Sequence, residues 1–444
     1  MGLIFDIEPL TKKLTFPIIM AISNALMVII LRIARNIQFD KNNPDSYLFS
    51  HPFIFTWLVF VSESLILIIY FFTRRPHIIK PKDKLNKMLN NSQDISLIPQ
   101  DCQSISSHMK QTKDYIMKDP QDSKPIIVGN LTKKIMIQIG TCALLDYISC
   151  AGTLINRETN IYFLDFAVKA LLILFTSLFS IKLKFQFHKH HVVGILIVLV
   201  GIFIFTLNEI LDVFILEQNS ANIEAIKTWL PFFICLAIVV QLVTAGQECN
   251  EKYMMQYNYI DPFLMKGLEG VIGTVVASLL FIPYQLIKCP NFNLNLCFRN
   301  GDYPIEHFFK AWGFMLQHWQ MIICLICFMV SCFLFQLYRV LTNHMLSPNH
   351  RALADTLSTL IIAVCYFFFQ LFELFNSRIR PIWFYIAGGI SYIIMFFGIL
   401  IVLEIIVVKL WNLDVNTFKN IAKRGTQDIS AEEVESVTGN NNEN

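Results

Sequence analysis

The stretch IWFYIAGGISYIIMFFGILIVL, residues 382–403, carries no charged side chain from end to end. Wound as a helix at about 1.5 Å per residue, a run of this length reaches across the ~30 Å hydrocarbon core of a bilayer. Working outward from it, nine more stretches have the same character: approximately 14–34, 52–72, 135–155, 160–181, 192–212, 228–248, 262–285, 319–341 and 352–373. The founding stretch extends through moderately apolar residues to about 409. Ten spans of about 20 residues use roughly half the chain and nearly all of its hydrophobicity. The third and fourth are the least apolar.

Composition agrees. Of 444 residues, 55% are hydrophobic and 16% charged, with a mean hydropathy of +0.52. Soluble domains carry about 25% charged residues, and a single hydrophobic core stops growing well below this length. Thirty-nine Phe against 17 Gly and 16 Pro exclude a disordered or collagen-like chain. A net charge of +3 is too small to argue for nucleic acid. Most of the 11 Cys lie in apolar runs, where a thiol behaves as a small hydrophobe. Cys324 and Cys327 form a C-x-x-C with no second pair or His nearby, so a redox or metal role is not expected. Cys289 and Cys297 sit in a polar loop and could pair if that loop faces an oxidising lumen. The first apolar run is too long for a signal-peptide core and lacks a small-residue cleavage site.

Lys and Arg distribute asymmetrically. Residues 73–134 hold a dense basic set that includes Arg74, Arg75, Lys133 and Lys134. Lys182, Lys184 and Lys189 follow the fourth span, and Lys419, Lys423 and Arg424 follow the tenth. With Lys12 and Lys13 they fall on one side of a ten-span chain, which the positive-inside rule assigns to the cytosol. The expected organisation is a cytosolic N-terminus (1–13), two spans (14–72), a cytosolic polar loop (73–134) and three spans (135–212). A lumenal loop (213–227) leads into five more spans (228–409, with a lumenal loop at 286–318), and a cytosolic disordered tail (410–444) ends the chain. The sequons at Asn90 and Asn130 lie on the cytosolic side and should stay unmodified. The run His188, Lys189, His190 and His191 reads as interfacial basic anchoring, because adjacent side chains do not face one way.

The halves echo one another. His51-Pro52-Phe53 opens the second span and Asp261-Pro262-Phe263 the seventh, with Glu63 and Glu269 further along. A repeated unit with an odd number of spans inserts in opposite orientations, the inverted repeat of many transporters, with the site at the repeat interface. The fold expected is therefore an all-α polytopic membrane protein of ten helices in two five-helix inverted repeats.

A charge at the bilayer centre costs about 2.5–3.5 kcal/mol on insertion scales, so each needs a partner or a water-filled cavity. The candidates are Glu63, Asp146, Asp165, Lys169, Glu269, Arg339, Arg351 and Asp355, with Lys266 three residues before Glu269. Asn24, Tyr147, Gln241, Gln336 and Tyr392 add uncharged polar groups. Asp165 with Lys169, and Arg351 with Asp355, share helix faces at i, i+4 and can neutralise one another; Lys266 and Glu269 can do so at i, i+3. Lys169 and Asp355 lie deeper, in the fourth span of each half, where an inverted repeat would let them pair across the interface. Glu63 falls about 18 Å into its span with no cation one turn away on its own helix. Glu63 and Asp146 are expected to carry a proton or to hydrogen-bond substrate, with Lys169 meeting an anionic or carbonyl group. There is no Walker loop, no dinucleotide glycine fingerprint and no H-E-x-x-H, so no cofactor or metal is expected and no enzymatic activity.

Several of these residues resemble solute carrier family 35, in its F branch, within the drug/metabolite transporter superfamily. Ser50-His51-Pro52-Phe53 with Glu63 is similar to that branch's H-P-F…E, and Cys142 to Asp146 to its C-D segment. Residues 169–180, KALLILFTSLFS, resemble its R-G-A-V-I-I-F-T-G-L-F-S, and Gly194-Ile195-Leu196 its G-I-L. Glu251-Lys252, Leu268-Glu269-Gly270 and Arg351-x-x-x-Asp355-x-x-x-Thr359 have counterparts as well. The resemblance covers nearly all of residues 14–408 apart from 73–130. It implies an EamA-like fold moving a small polar organic solute, a nucleotide sugar or related metabolite, by alternating access at an endomembrane (Golgi, endosome or lysosome). Two departures stand out: Lys169 replaces an Arg and loses its bidentate fork, and Ser358 replaces a second basic residue. The expected partners are a small-molecule solute and the lipid bilayer, not nucleic acid. A second copy of the chain, and cytosolic proteins held by the 73–134 loop and the tail, stay open as partners. A non-transporting membrane adaptor is the rival reading.

Overall fold

The computed structural model describes residues 5–7, 12–35, 51–73, 133–158, 162–183, 185, 189–216, 221–258, 260–287, 305–306, 308–371 and 382–408. Most of the 73–134 loop, both sequons, His188, Cys289, Cys297 and residues 409–444 lie outside these. The described chain runs β1 (Phe5–Ile7), α1 (Lys12–Arg35), α2 (Pro52–Ser64), α3 (Ile66–Thr73), α4 (Lys133–Glu158), α5 (Tyr162–Lys182) and α6 (Lys189–Leu216). It continues through α7 (Ala221–Tyr257), α8 (Pro262–Leu286), α9 (Phe308–Gln317), α10 (Trp319–Met345), α11 (Pro348–Leu371), α12 (Ile382–Val402) and β2 (Ile406–Val408).

Eight helical spans among the described residues are long and apolar enough to cross a membrane. Their outward faces match: Ile137, Phe203, Leu279 and Ile393 are between 61% and 71% exposed, while the side chains of the charged network described below are buried. Apolar surface outside and ion pairs inside invert the soluble pattern. The described residues are nearly all helical, and the chain is a multi-pass membrane protein.

Four boundaries depart from the sequence reading. The second span is not one uninterrupted ladder: its hydrogen bonding is interrupted at Leu65, two residues after Glu63, although that residue keeps helical dihedrals (φ −63°, ψ −19°). Ser62 and Ser64 hydroxyls donate back to the Leu58 and Val61 carbonyls at 2.8 and 2.6 Å, competing with the helix ladder there. The sixth span does not stop at 248; α7 continues to Tyr257 and carries Glu248 and Glu251 inside the helix. The region expected as a lumenal loop at 286–318 contains α9. The last span ends at Val402 rather than 409. There the Glu404 and Ile405 amides donate to the Ile401 and Leu400 carbonyls, each at 3.0 Å, with Glu404 in the left-handed region at φ 55°. The chain then turns into β2, which pairs antiparallel with β1, Phe5 opposite Val408 and Ile7 opposite Ile406. This small ribbon is an exception to the all-α expectation. His190 and His191 are buried beside this turn, not splayed as interfacial anchors, and His191 Nε2 lies 3.4 Å from Glu404.

α6 lies along α12, α5 on α11, and α8 on α2 and α3. α1 packs on α10 and α11, and α7 on α4 and α5. α8 also meets α4, as α2 meets α10. Two seams are close enough to exclude side chains. A Cβ on Gly398 of α12 would sit 2.8 Å from the Val198 nitrogen and 2.9 Å from the Gly194 oxygen of α6. On α8, Gly267, Gly270 and Gly273 face α2 and α3; a Cβ on Gly270 would lie 2.3 Å from the Ser64 nitrogen. α8 starts firmly: Asp261 accepts the Phe263 and Leu264 amides at 2.9 and 3.3 Å, ahead of Pro262 at the first helical position. At the matching start of α2, His51 has no capping bond and its ring binds Glu306 instead.

Candidate functional site

The second seam delivers Glu63 of α2 against α8, and the ammonium of Lys266 fills the junction. Lys266 Nζ lies 2.6 Å from Asp146, 3.1 Å from Glu269, 3.3 Å from Glu63 and 3.5 Å from Glu251. It is 1% exposed. Arg339 of α10 adds contacts at 3.4 Å to Asp146 and 3.7 Å to Glu248. Arg351 of α11 holds Glu248 at 3.0 Å and also pairs with Glu251. Five carboxylates and three cations from α2, α4, α7, α8, α10 and α11 thus form one network, every member less than one-tenth exposed. Burying an ion costs several kcal/mol, so such a network persists only when its members neutralise one another.

Neutral groups fix its geometry. Gln247 donates to Glu251 at 2.7 Å and accepts from Arg339 at 3.4 Å. Gln336 accepts from Arg339 at 3.2 Å, and Asn343 donates to Glu251 at 3.3 Å. The Arg339 guanidinium also lies over the Phe335 ring, 5.8 Å from its centroid. Lys252, beside Glu251, leaves the network and donates to the His344 and Leu346 carbonyls at the end of α10.

The structure redistributes the candidates. Glu63, Asp146, Glu269, Arg351 and Gln336 come together as members of this network. Arg351 does not neutralise Asp355, because Glu248 and Glu251 from α7 take its guanidinium. The Asp355 carboxylate accepts from Asn24 at 3.5 Å, and the same Asn24 amide donates to Ser358 at 2.8 Å. α5 and α11 do pack together, yet no ion pair among the described residues joins Lys169 to Asp355. Lys169 is half-exposed and outside the network; the Asp165 side chain lies outside the described set. Tyr147 donates to the Tyr284 hydroxyl at 3.3 Å and stacks on Phe60, one turn before Glu63. Gln241 is buried on α7, two turns before Glu248.

Glu248 and Glu251 were missed because the apolar window ends at them. Their i, i+3 spacing in register with Gln241 and Thr244 is the signal that extends the polar face of α7 through both. Lys266 was recognised only as a local partner of Glu269.

One oxygen each from Asp146, Glu251 and Glu269 lies within 4.8 Å of the others, a spacing a metal would accept. Lys266 Nζ is in contact with all three, so an ammonium is the cation of this cradle. The groups present are five carboxylates, one ammonium and two guanidiniums, a set whose chemistry is the pairing of charge.

No protein-family model and no curated protein matches the chain. Among solved structures 21 chains match; one, described only as a crystal structure of a protein, is 10% identical and covers 88% of this chain and 96% of its own. Its TM-score of 0.38 is too low to carry an argument about fold or function.

Proposed function

We propose that the chain is a secondary transporter of a small polar organic solute, with the Lys266-centred network as its coupling and substrate site. The carrying observation is this fully buried network of five carboxylates and three cations, held by six helices inside a bundle whose outer face is apolar. A merely structural bundle gains nothing from so costly a core, since well-packed apolar side chains do as well or better. Intramembrane ionisable groups facing a bundle interior mark substrate or ion pathways.

The reading takes α1, α2–α3, α4, α5 and α6 as one repeat and α7, α8, α10, α11 and α12 as its inverted partner, a ten-span drug/metabolite-transporter layout. Helix neighbours support it. Exchanging the repeats turns α1 on α10 into α7 on α4, α1 on α11 into α7 on α5, and α2 on α10 into α8 on α4. All of these pairs are in contact, as are the self-related pairs α2 with α8, α5 with α11 and α6 with α12. On this reading both termini are cytosolic and the protein serves an endomembrane, as its likeness to solute carrier family 35 suggests.

The excess of carboxylates over cations, with Ser358 in place of a second base, disfavours a polyanion such as a nucleotide sugar. A neutral or cationic polar solute suits the network better. Reconstituted into liposomes, the full chain should take up at least one neutral or cationic metabolite from a panel that also includes nucleotide sugars and nucleotides, and do so saturably. Folded protein with no saturable uptake of any of them would favour the adaptor. Saturable uptake of nucleotide sugars alone would overturn the charge argument.

A further inference from the structure

The network holds more acid than base. Glu63, Asp146, Glu248, Glu251 and Glu269 face Lys266, Arg339 and Arg351. Fully ionised, it would keep two uncompensated negative charges in a dry, apolar surrounding.

The contacts identify which two. Asp146 touches Lys266 and Arg339; Glu248 touches Arg351 and Arg339; Glu251 touches Arg351 and Lys266. Each of these three carboxylates leans on two cations. Glu63 and Glu269 each have one cation within 4.0 Å among the described residues, and it is the same one, Lys266. An ammonium has three hydrogens, and four carboxylates surround this one. Neither oxygen of Glu63, nor Oε1 of Glu269, has a hydrogen-bond partner, although both side chains are completely buried; the oxygens of Glu248 share that lack, but Glu248 lies between two guanidiniums, Arg351 and Arg339, as the other two do not. Such orphaned oxygens are rare in folded proteins and point to an unseen atom. Gly270, pressed on the Glu63 backbone, keeps the two carboxyls on one nitrogen.

Among the described residues no other cation lies within 4.0 Å of either carboxyl. Around this pair, α4 brings Asp146, α7 brings Glu248 and Glu251, α10 brings Arg339, and α11 brings Arg351 with Asp355 beyond it. The nearest further titratable groups, Tyr147, Cys142, Cys150 and Cys332, supply no positive charge.

We propose that Glu63 and Glu269 form a two-proton site. In the closed bundle each carries one proton, leaving three carboxylates against three cations and a neutral core. When the bundle opens, each carboxyl gives its proton to water on the open side, and the network gains two negative charges able to receive a cationic group. This last step rests on the transporter reading; the protonated pair does not.

Infrared spectroscopy of the full chain in lipid, at neutral pH in light and heavy water, tests the pair directly. The unmodified protein should show the carbonyl stretch of protonated carboxyls, shifted by deuterium. Glu63→Gln and Glu269→Gln should each remove about half of that band, and the double variant all of it. Glu63→Asp, which retains an acid, should move its component without erasing it. Absence of the band in the unmodified chain, a measurement that needs no variant, overturns the proposal, and so does a band that survives the double substitution. Saturable uptake without the band defeats the two-proton site and leaves the transporter standing. The band lost in the double variant, with no uptake of any solute, upholds the protonated pair and removes the transporter.

Discussion

Along α6 and α12, Gly194, Gly201 and Gly398 let two helices touch backbone to backbone; along α2 and α8, Gly267, Gly270 and Gly273 do the same. The first seam encloses Ile195, Val198, Ile202, Met395 and Ile399, with no charge among them. The second carries Phe60 at one end and Glu63, Lys266 and Glu269 at its centre. One packing device therefore serves two purposes. In the first seam the saved space is returned as dispersion contacts that do not depend on conditions. In the second it drives ionisable groups out of water, so the stability of the contact depends on who neutralises whom. On the proposed function, a change of protonation or ligand acts at the centre of the α2–α8 seam, whereas the titratable groups of the other pair, His190, His191 and Glu404, sit only at its end.

The sharpest way to break this contrast is Lys266→Met. It takes from Glu63 and Glu269 their one cation within 4.0 Å and from Asp146 and Glu251 one of two, and should cost about 3–5 kcal/mol, the usual penalty for removing one partner of a buried pair. Thermal unfolding in a mild detergent measures it, and a loss within about 1 kcal/mol would mean that the network is not what holds α8 in place. Gly398→Leu, in the uncharged seam, should cost about 1–3 kcal/mol by overpacking, and its folded fraction should keep the protonated-carboxyl band of the other seam. If that band also disappears, the seams are not independent. Asp261→Ala removes the cap that starts α8 and should cost about 1 kcal/mol, read as a lower midpoint in the same melt. Smallest of all are Glu63→Gln and Glu269→Gln, each within about 1 kcal/mol of the parent, the scale of one hydrogen bond. A neutral amide replaces an acid that is already neutral. A loss approaching that of Lys266→Met would say that both groups are ionised in the closed bundle.

Much of the fold could be read before any coordinates, because a bilayer demands long uncharged runs and those runs are visible in a single sequence. The stretch at 382–403 and the helix Ile382–Val402 nearly coincide. Where the reading slipped, polarity and helix parted company. α7 keeps its backbone hydrogen bonds straight through Glu248 and Glu251, which a hydropathy window treats as an exit from the membrane. The ladder of the second span is interrupted at Leu65, although residues 66–73 are as apolar as any span; Ser62 and Ser64 bond back to the Leu58 and Val61 carbonyls just before it. Individual ionisable residues could be picked out, and so could the local pair of Lys266 with Glu269; the partners on other helices could not. Spacing along one helix suggested Arg351 with Asp355, whereas the bonds run between helices, from Arg351 to α7 and from Lys266 to α2, α4 and α7. Local spacing says which side chains share a face and nothing about what that face meets.

The account stands on the claim that the charged core works and the apolar seam only holds. Uptake by liposomes containing the unmodified chain, Asp146→Asn and Gly398→Ala, each normalised to folded protein, tests it most directly. The unmodified chain and the folded Gly398→Ala fraction should take up solute saturably, while Asp146→Asn, deprived of the carboxylate that bridges Lys266 and Arg339, should lose uptake by at least tenfold. Equal uptake by the unmodified chain and Asp146→Asn would contradict the account, because the network would then be scaffold and the site would lie elsewhere.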